Sequence, residues 1–528
     1  MTNFKKYYQK ILNNFNKKKV FYKYFSTNIT YLDGLNYLKK IISFFLIRNI
    51  TKKNIYVSCD KSFEMYVAIF SVLLTNNTWI PLSKSLPNNR IKNILRQVPP
   101  DVFIHDKEDV DKISLFQKFD AECIEFKEIH LFKTNIKFKD LNNLINKINF
   151  NETAFIYFTS GSTGEPKGIK ISHKNIISDI YDQNYHLFKK KYFHKYPLIF
   201  GDYYDTAFSI FFDIYFPAIY LGAAISPGIK KIDSFLPSNH IKKNKVNILV
   251  AVPSTIQRLK NYYQDKKFQH KFNTIIMTGE PFHLSLLKYI YKNFDFNKLF
   301  NCYGGTEMSN WVYYHDCKKN DLVNYKKFNL VPIGKKFRSV KSKIINNVLT
   351  VSGPMVSLGY LNTKLNKGKF VFKKNSTEFN TGDIVKKKKG IIICLGRKDN
   401  MIKIRGYRIE ISHVEAMILK LDEIEQAIVF EKKEANYNNH LLAVIKLNRS
   451  ISEVKIREKM SKELPNYMVP KKIIILKNIP INSNGKINRI FLKQKYAKKN
   501  RDINKKSDVM SKLFLFLRKT IKGNIPID

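Results

Sequence analysis

The sequence predicts an α/β protein built from at least two domains. Its 528 residues exceed what a single hydrophobic core usually organises. Helix-like and strand-like stretches alternate through residues 35–135, which is typical of layered α/β domains. Near Val348 the pattern changes to short strands separated by turns, which indicates a second structural unit.

In chain order, the apolar patterns predict the following elements. Helices are expected at 35–45, Phe63–Leu74, 412–419 (with Ser412 as N-cap) and 451–464. Strands are expected at Asn54–Ser58, Thr78–Pro81, 153–158, 247–251, 274–277, 402–404, 426–430, 441–447 and 472–476. The predicted organisation is an N-terminal domain over 1–396, a hinge at 397–400, a C-terminal domain over 401–497 and a basic tail over 498–528 with a short helix candidate at 509–521.

Residues 157–168 read YFTSGSTGEPKG and form the most informative local segment. Glycine backbone amides, hydroxyl side chains and a lysine are the groups that hold phosphates. Lys167 is followed by an alternating, strand-like pattern rather than by a helix, so the loop is expected to join two strands, unlike a P-loop. An ordinary surface hairpin turn is the competing interpretation.

Composition excludes several classes of protein. The five cysteines are scattered without a CxxC pair, which disfavours a zinc site or a disulfide framework. No apolar run approaches the length of a membrane span, and the N-terminus lacks the apolar core of a signal peptide, so a cytoplasmic location is expected. The net charge of +50 suggests a polyanion-binding or nucleic-acid-binding protein as an alternative. Only 13 of the 93 basic residues are arginines, and the lysines are spread over every segment, which disfavours specific nucleic-acid binding.

Further motifs follow in order: NCYGGTE at 301–307, FNTGDIV at 379–385, GRKDNMIKIRGYRIEISHVE at 396–415, LPNYMVP at 464–470 and PINSNGKINR at 480–489. Together with the phosphate loop, TWIPLSKSLP at 78–87 and VLTVSGPMVSLGYLNT at 348–363, they resemble the adenylate-forming (AMP-binding) superfamily. The wording is most similar to the amino-acid adenylation domains of nonribosomal peptide synthetases and to D-alanine–carrier-protein ligases. The resemblance covers about residues 35–495.

This resemblance implies a large N-terminal domain of layered α/β sheets with a small barrel-like subdomain, plus a small mobile α+β C-terminal domain. It also implies a two-step reaction that uses ATP and Mg²⁺. A carboxylate attacks the α-phosphate to give an acyl-adenylate and pyrophosphate, and a thiol then takes the acyl group. The thiol would belong to the phosphopantetheine of an acyl or peptidyl carrier protein supplied in trans, with free CoA as the alternative.

The resemblance also assigns roles to residues. The β- and γ-phosphates would be held by Thr159, Ser160, Gly161, Ser162, Thr163, Gly164 and Lys167. Adenine would stack on Tyr303 beside Gly279 and Glu280, the ribose would meet Asp383 and Arg397, Thr306 would contact the α-phosphate, and Glu307 would ligate Mg²⁺. Lys486 would bridge the attacking carboxylate and the nucleotide, and Asp399 would be the hinge about which the C-terminal domain rotates to withdraw it.

Each of these residues also has an ordinary structural interpretation. Tyr303 could be a core aromatic, Glu307 a helix-start carboxylate, Asp383 a turn cap, and Lys486 one of many lysines, here in an Asn/Gly turn. The sequence order of all the motifs together favours the functional interpretation.

The candidate acid pocket departs from the amino-acid adenylation pattern. Aligning 207–214 (AFSIFFDI) on its Asp-Ile pair puts Phe208 where those domains carry the aspartate that pairs with an α-ammonium group; Asp205 could serve only if the alignment slips. The other matched pocket positions are Ser209, Phe212, Ile276, Thr278, Cys302, Asn310 and Trp311. This set carries no charge, which predicts a small acyl or aryl acid without an α-amino group. The tail could be a carrier-domain remnant or a plain basic extension.

Overall fold

A computed structural model describes residues 4–58, 60–106, 110–159, 165–189, 197–264, 266–374, 376–398, 401–434, 439–480 and 487–497. The helices are α1 (Lys5–Phe15), α2 (Tyr31–Ile47), α3 (Phe63–Leu74), α4 (Asn88–Gln97), α5 (Val110–Gln117), α6 (Phe126–Leu131), α7 (Phe138–Lys147), α8 (His173–His186), α9 (Phe212–Leu221), α10 (Lys231–Phe235), α11 (Ser238–Asn244), α12 (Pro253–Tyr263), α13 (Leu284–Asn293), α14 (Asp321–Asn324), α15 (Ile411–Ile418), α16 (Glu453–Ser461) and α17 (Arg489–Leu492).

The strands are β1 (Val20–Tyr24), β2 (Thr27–Thr30), β3 (Asn54–Ser58), β4 (Thr78–Pro81), β5 (Val102–His105), β6 (Glu122–Glu125), β7 (Thr153–Thr159), β8 (Lys167–Ser172), β9 (Ile199–Asp202), β10 (Ala224–Pro227), β11 (Ile248–Ala251), β12 (Phe268–Met277), β13 (Phe294–Gly305), β14 (Asn310–Asp316), β15 (Lys335–Lys336), β16 (Lys341–Ile345), β17 (Val348–Ser352), β18 (Phe370–Lys373), β19 (Ser376–Lys388), β20 (Ile391–Arg397), β21 (Met401–Ile404), β22 (Tyr407–Glu410), β23 (Ile424–Lys432), β24 (His440–Leu447) and β25 (Lys472–Ile475).

Two large sheets form the N-terminal part. The first has the order β6-β5-β3-β4-β7-β8 and is parallel except for the antiparallel pair β7–β8. The second has the order β15-β14-β13-β12-β11-β9-β10-β1-β2, with a parallel centre and antiparallel edges. The prediction that the phosphate loop joins two strands is therefore confirmed, because β7 ends at Thr159 and β8 begins at Lys167.

The largest hydrophobic core contains side chains from both large sheets and from helices α2, α3 and α9. Helix α3 is apolar on nearly all sides, and almost every residue from Met65 to Leu74 is buried, as expected for a helix enclosed by other elements. Tyr66 and Trp79 both pack on Phe211, which lies directly before α9. The start of α9 is thereby fixed relative to the first sheet.

A five-stranded antiparallel sheet follows, with the order β16-β17-β19-β18 and β20 paired to β19, where the barrel-like subdomain was expected. After Met401 come the hairpin β21–β22 and the sheet β23-β24-β25. Residues alternate along β23, so Ala427 and Val429 face one small core while Ile428 and Phe430 face another. This agrees with the predicted fold class of a large N-terminal and a small α+β C-terminal part.

Several predicted boundaries need correction. Helix α15 begins at Ile411 with Glu410 as N-cap, not at Ser412, because β22 runs directly into it. Helix α16 spans Glu453–Ser461 rather than 451–464, since the Ser452 side chain caps its start and Pro465 lies close after its end. The tail 498–528 and its helix candidate lie outside the described residues.

Within the described ranges, no helix combines the length and the apolar character needed to cross a membrane.

Candidate functional site

A cavity of about 160 Å³ lies where the large sheets, the five-stranded sheet and the hairpin β21–β22 meet. The end of β7 contributes Phe158 and Thr159, and the segment after β13 contributes Thr306 and Glu307. Met401, Lys403, Gly406, Tyr407 and Arg408 close the cavity from the C-terminal side. Chain segments far apart in sequence thus share one enclosed space.

Asp383 occupies the end of the cavity where the sequence placed the ribose. Gly382 precedes it with φ +74°, a left-handed conformation that favours glycine, and Asp383 lies opposite Arg397 in the β19–β20 ladder. Its Oδ1 accepts a hydrogen bond from Arg397 Nη1 at 2.9 Å, and its Oδ2 accepts one from the Tyr303 hydroxyl. The predicted ribose and adenine residues are therefore in direct contact.

Thr306 and Glu307 form a short 3₁₀ turn directly after β13. The Thr306 hydroxyl lies 3.0 Å from the Ser209 hydroxyl, which joins the predicted phosphate contact to the predicted acid pocket. Glu307 is buried and accepts hydrogen bonds from the Tyr360 hydroxyl at 2.7 Å and from Arg408 Nη1. Burial alone would raise the pKa of Glu307, but Arg408 and Tyr360 lower it to about 2. Glu307 is therefore an anion paired with a cation from β22.

Lys167 is also paired with β22. Its Nζ lies 2.6 Å from Glu410 Oε1, and both side chains are mostly buried. Arg408 and Glu410 are two residues apart on a strand, so their side chains share one face. That face of β22 meets both Glu307 and Lys167.

Glu280 supports a third contact between the two parts of the chain. Its Oε2 accepts from the Ser254 amide at the start of α12, and its Oε1 accepts from the Gly406 amide, both at 2.9 Å. Gly279 lines the cavity, whereas Glu280 points to these two amides. The predicted contact of Glu280 with adenine stays a prediction.

Part of the predicted site lies outside the described residues: Ser160, Gly161, Ser162, Thr163, Gly164, Asp399 and Lys486. At the start of the phosphate loop, the buried Thr159 Oγ1 has no hydrogen-bond partner within the described chain. A phosphate oxygen would satisfy this hydroxyl, so the described edge of the loop fits the predicted ligand.

The predicted acid pocket is only partly assembled at the cavity. Phe208, Ser209, Thr278, Asn310 and Trp311 line it, and Trp311 Nε1 donates to the Thr278 hydroxyl at 2.8 Å. Three other predicted pocket residues are buried in the main core instead: Phe212, Ile276 and Cys302. The Phe212 ring packs on Phe155 and Tyr157 of β7, which turns it away from the pocket role expected for it.

Two acids outside the predicted pocket set, Asp205 and Asp213, also line this cavity, so the uncharged character of the acid pocket stays a prediction. Asp205 accepts a hydrogen bond from the Ser83 hydroxyl and one from the Ala207 amide at 2.9 Å. Asp213 lies one turn beyond Ser209, and the helix brings it to the cavity although the alignment treated it only as an anchor. Carboxylates therefore face the space predicted for an uncharged acid.

Comparison with known proteins identifies the family. Residues 9–361 match the family model for AMP-binding enzymes, and residues 413–486 match that for the AMP-binding enzyme C-terminal domain. The chain belongs to the AMP-binding enzyme family. Bacitracin synthase 1 of Bacillus licheniformis is 27% identical over 469 residues, which cover 84% of this chain and 8% of that protein. The chain thus spans a small part of the length of the curated relatives it matches.

Two solved structures show the same fold. The adenylation domain AlmE of Vibrio cholerae, in complex with glycyl-adenosine-5'-phosphate, matches with a TM-score of 0.78 at 20% identity and covers 93% of this chain and 97% of that one. The o-succinylbenzoate CoA synthetase MenE of Bacillus subtilis, bound to a product analogue, matches with a TM-score of 0.76 at 18% identity and covers 92% and 98%. At these identities, the likeness extends to the fold alone.

In this AMP-binding enzyme, Glu307 has the chemistry of a Mg²⁺ ligand. Mg²⁺ is often held by one or two carboxylates together with substrate phosphates, so a single glutamate suffices. The described residues contain no group of three or more potential metal-ligating side chains. Because Arg408 now contacts the Glu307 carboxylate, a cation at Glu307 and Arg408 in its present position would repel each other.

Sequence reasoning about this AMP-binding enzyme missed the partners of the site residues. Arg408 and Glu410 lie inside the KIRGYRIE motif, and their two-residue spacing on a strand was the available signal. Tyr360 lies inside the GYLN segment and had no assigned role. Their contacts with Glu307 and Lys167 join segments over fifty residues apart, which no local pattern reports.

Proposed function

We propose that this protein activates a small carboxylic acid with ATP and then transfers the acyl group to a thiol, on the phosphopantetheine of a carrier protein. The observation that carries this proposal is the single cavity in which Asp383, Thr306 and Glu307 meet Asn310 and Trp311. Residues proposed to bind the nucleotide therefore adjoin residues proposed to bind the acid, as a reaction between the two ligands requires.

At the nucleotide end, the chain offers acceptors for ribose hydroxyls and donors for phosphates. Each carboxylate oxygen has about two lone-pair sites, so Asp383 can keep Tyr303 and Arg397 and still accept from both ribose hydroxyls. The Thr159 hydroxyl, which has no partner among the described residues, would donate toward the phosphates, and Thr306, which here donates to Ser209, would have to turn its hydroxyl to do the same. Glu307 would hold Mg²⁺, which would neutralise phosphate charge when bound.

Lys486 is proposed to approach the α-phosphate and the substrate carboxylate in the first step. A lysine there would lower the repulsion between two anions and stabilise the negative charge that develops on phosphate. Asp399 is proposed as the residue about which the C-terminal domain turns between the two steps.

The contacts of the hairpin β21–β22 fit the second step. Arg408 pairs with Glu307, Glu410 pairs with Lys167, and the Gly406 amide is held by Glu280. Two residues proposed to serve ATP and Mg²⁺ are thus neutralised by the C-terminal part itself. This arrangement suits a state after pyrophosphate has left, when the thiol must reach the acyl-adenylate.

The test is acid-dependent exchange of labelled pyrophosphate into ATP, measured with a panel of amino, aryl and short-chain fatty acids. Exchange with at least one acid, lost in Asp383→Asn, is expected. Asp316→Asn is the matched control, because Asp316 also contacts cations but lies on β14 away from the cavity lining. Intact ATP binding without exchange for any acid would contradict the adenylation proposal.

The acceptor is tested separately, by offering the same acid with either CoA or a phosphopantetheinylated carrier protein. Faster release of AMP with the carrier protein is expected. A preference for CoA would replace carrier loading with acyl-CoA synthesis, without affecting the proposed first step.

A further inference from the structure

Asp213 in the cavity lining is joined to a second buried acid, Asp179, by one glutamine. Gln183 Nε2 donates to Asp179 Oδ2 at 2.7 Å and to Asp213 Oδ1 at 2.9 Å. All three side chains are at least 98% buried. Asp213 lines the cavity, whereas Asp179 lies behind it on α8. Only Asp213 of this pair therefore belongs to the cavity lining.

Three polar atoms on the cavity wall have no hydrogen-bond partner within the described residues: Asp213 Oδ2, Asn310 Nδ2 and the Tyr157 hydroxyl. Buried polar atoms in native proteins nearly always have a partner, and an exception usually marks a missing ligand or water. The three atoms come from α9, β14 and β7, and all three residues belong to the cavity lining. Together they would form one polar subsite in the cavity lining.

The charge at this subsite is not compensated by the protein. Among the described residues, neither Asp179 nor Asp213 forms an ion pair with lysine, arginine or histidine. Burial raises the pKa of both carboxyls, and their mutual repulsion raises it further for Asp213. The nearby titratable groups are Tyr157, Cys302 and Asp182, and burial raises the pKa of each of them as well. None of these groups supplies a positive charge.

The position of Asp213 along the pocket gives the length of the ligand. Phe208 packs on Tyr407 and Tyr467 at the C-terminal side, and Ser209 contacts Thr306 near the proposed reacting centre. Asp213 follows Ser209 by four residues of 3₁₀ and α-helix, a rise of about 6 to 8 Å. With the reacting carboxylate placed near Ser209 and Thr306, as proposed above, a group bound at Asp213 would lie farther away than an α-substituent reaches.

We propose that Asp213 binds an ammonium group of the substrate acid, and that this amine lies beyond the α-carbon. The subsite rests on the proposed function, since it assigns a substrate class to the same cavity. An ammonium supplies the missing cation and hydrogen-bond donor together, which a hydroxyl group does not. The substrate class is then a β-, γ- or longer-chain amino acid, with Phe208 tolerated because no α-ammonium has to be held beside it.

The experiment compares amines with methyl isosteres in pyrophosphate exchange by the full chain. The pairs are β-alanine with butanoate, 4-aminobutanoate with pentanoate, 5-aminopentanoate with hexanoate, and glycine with propanoate. We expect at least one of the first three amines to exceed its isostere by on the order of 100-fold, because a buried polar subsite rejects a ligand that leaves it unpaired. A preference confined to glycine, or equal rates within every pair, would overturn the proposal.

Two isosteric variants distinguish a loss of amine binding at Asp213 from a general loss of protein stability. Asp213→Asn is expected to reduce the amine preference by about tenfold or more, because it removes the charge that faces the cavity. Asp179→Asn is the matched control: it changes the other buried acid at the same glutamine, and it should keep the preference. Loss of the preference in both variants, or in neither, would contradict the assignment to Asp213.

Binding without catalysis distinguishes the two proposals. Each acid is added without ATP, and the thermal midpoint of the protein is measured, because a ligand that binds only the folded state raises it. Selective stabilisation by an amine without exchange would retain the subsite and contradict the adenylation proposal. Pyrophosphate exchange, combined with thermal stabilisation by the methyl isosteres alone, would retain the adenylation proposal and contradict the subsite.

Discussion

The end of the cavity proposed to bind the nucleotide and the end proposed to bind the acid differ in how their buried charges are balanced. At the nucleotide end, Asp383 pairs with Arg397, Glu307 with Arg408, and Lys167 with Glu410. At the acid end, Asp213 and Asp179 share one neutral glutamine amide, and no ion pair reaches either acid among the described residues. Both ends belong to one cavity, but within the described chain the buried charges form ion pairs at the first end and form none at the second.

The difference indicates at which end the protein itself supplies the opposite charges. Where Arg397, Arg408 and Glu410 supply opposite charges, the residues proposed to bind the nucleotide are neutralised without a ligand. Where no element supplies a cation, the acids are costly to keep ionised, and their charge is available to a ligand. A catalytic centre that must alternate between two ligands benefits from the first arrangement, and a selective pocket benefits from the second.

The largest effect is expected from Lys486→Ala, which tests whether the nucleotide end works without its proposed bridging lysine. Pyrophosphate exchange should fall on the order of 100- to 1,000-fold, while ATP binding is retained, because the lysine acts on charge that develops during the reaction. Lys477→Ala, an exposed lysine nearby in sequence, is the control and should keep wild-type exchange. Unchanged exchange in Lys486→Ala would remove this assignment.

Glu307→Gln tests the stability of the balanced end. It should lower the free energy of unfolding by about 1.5 to 3 kcal/mol at neutral pH, because it leaves Arg408 without its carboxylate. Glu378→Gln, whose partners Lys343 and Lys373 are exposed, should cost less than about 1 kcal/mol. Urea unfolding measures both, and equal losses would show that burial of the Glu307 pair adds nothing.

The stability loss in Glu307→Gln should depend on pH. Folding lowers the pKa of Glu307 from 4.5 to about 2, so its contribution is present above pH 4.5 and is lost as the pH falls through about 2. The stability difference between wild type and Glu307→Gln should therefore shrink across this window.

Arg408→Gln separates the two steps of the proposed reaction. Transfer to the thiol should slow by on the order of tenfold, and by more than pyrophosphate exchange does, because the ion pair holds β22 in the arrangement assigned to transfer. Arg449→Gln, at an exposed site in the same part of the chain, should leave both rates unchanged. A larger effect on exchange than on transfer would place the β22 contacts in the first step instead.

The smallest effect is expected from Asp179→Asn, which removes one of the two buried carboxyl groups that have no ion-pair partner among the described residues. Folding raises the pKa of Asp179 above 3.8, so the buried acid lowers stability increasingly as the pH rises from that value through its folded pKa. The variant should be more stable than wild type by about 1 kcal/mol at neutral pH and equal to it near pH 3. The exposed Asp422→Asn should show no such trend in thermal unfolding, and a wild-type-like Asp179→Asn would contradict the unpaired state of the acids.

The sequence by itself determined the fold class, the family and the position of many elements. Strands such as Asn54–Ser58 and Thr78–Pro81 were predicted with the bounds they have, because a buried strand carries its apolar pattern locally. The order of the motifs also predicted residues for the nucleotide; Tyr303, Asp383 and Arg397 lie together, and their role stays a prediction. Motif order identifies such residues because each motif is a short, contiguous stretch.

Only the tertiary structure decided how charges are paired. Arg408 meets Glu307 across 101 residues, and Glu410 meets Lys167 across 243 residues. Phe212 and Cys302 were predicted in the pocket but pack in the core, while Asp213 reaches the cavity because α9 turns it there. The burial of a side chain and its pairing with another depend on which distant segments of the chain lie together in the fold. A local sequence pattern contains no information about those contacts.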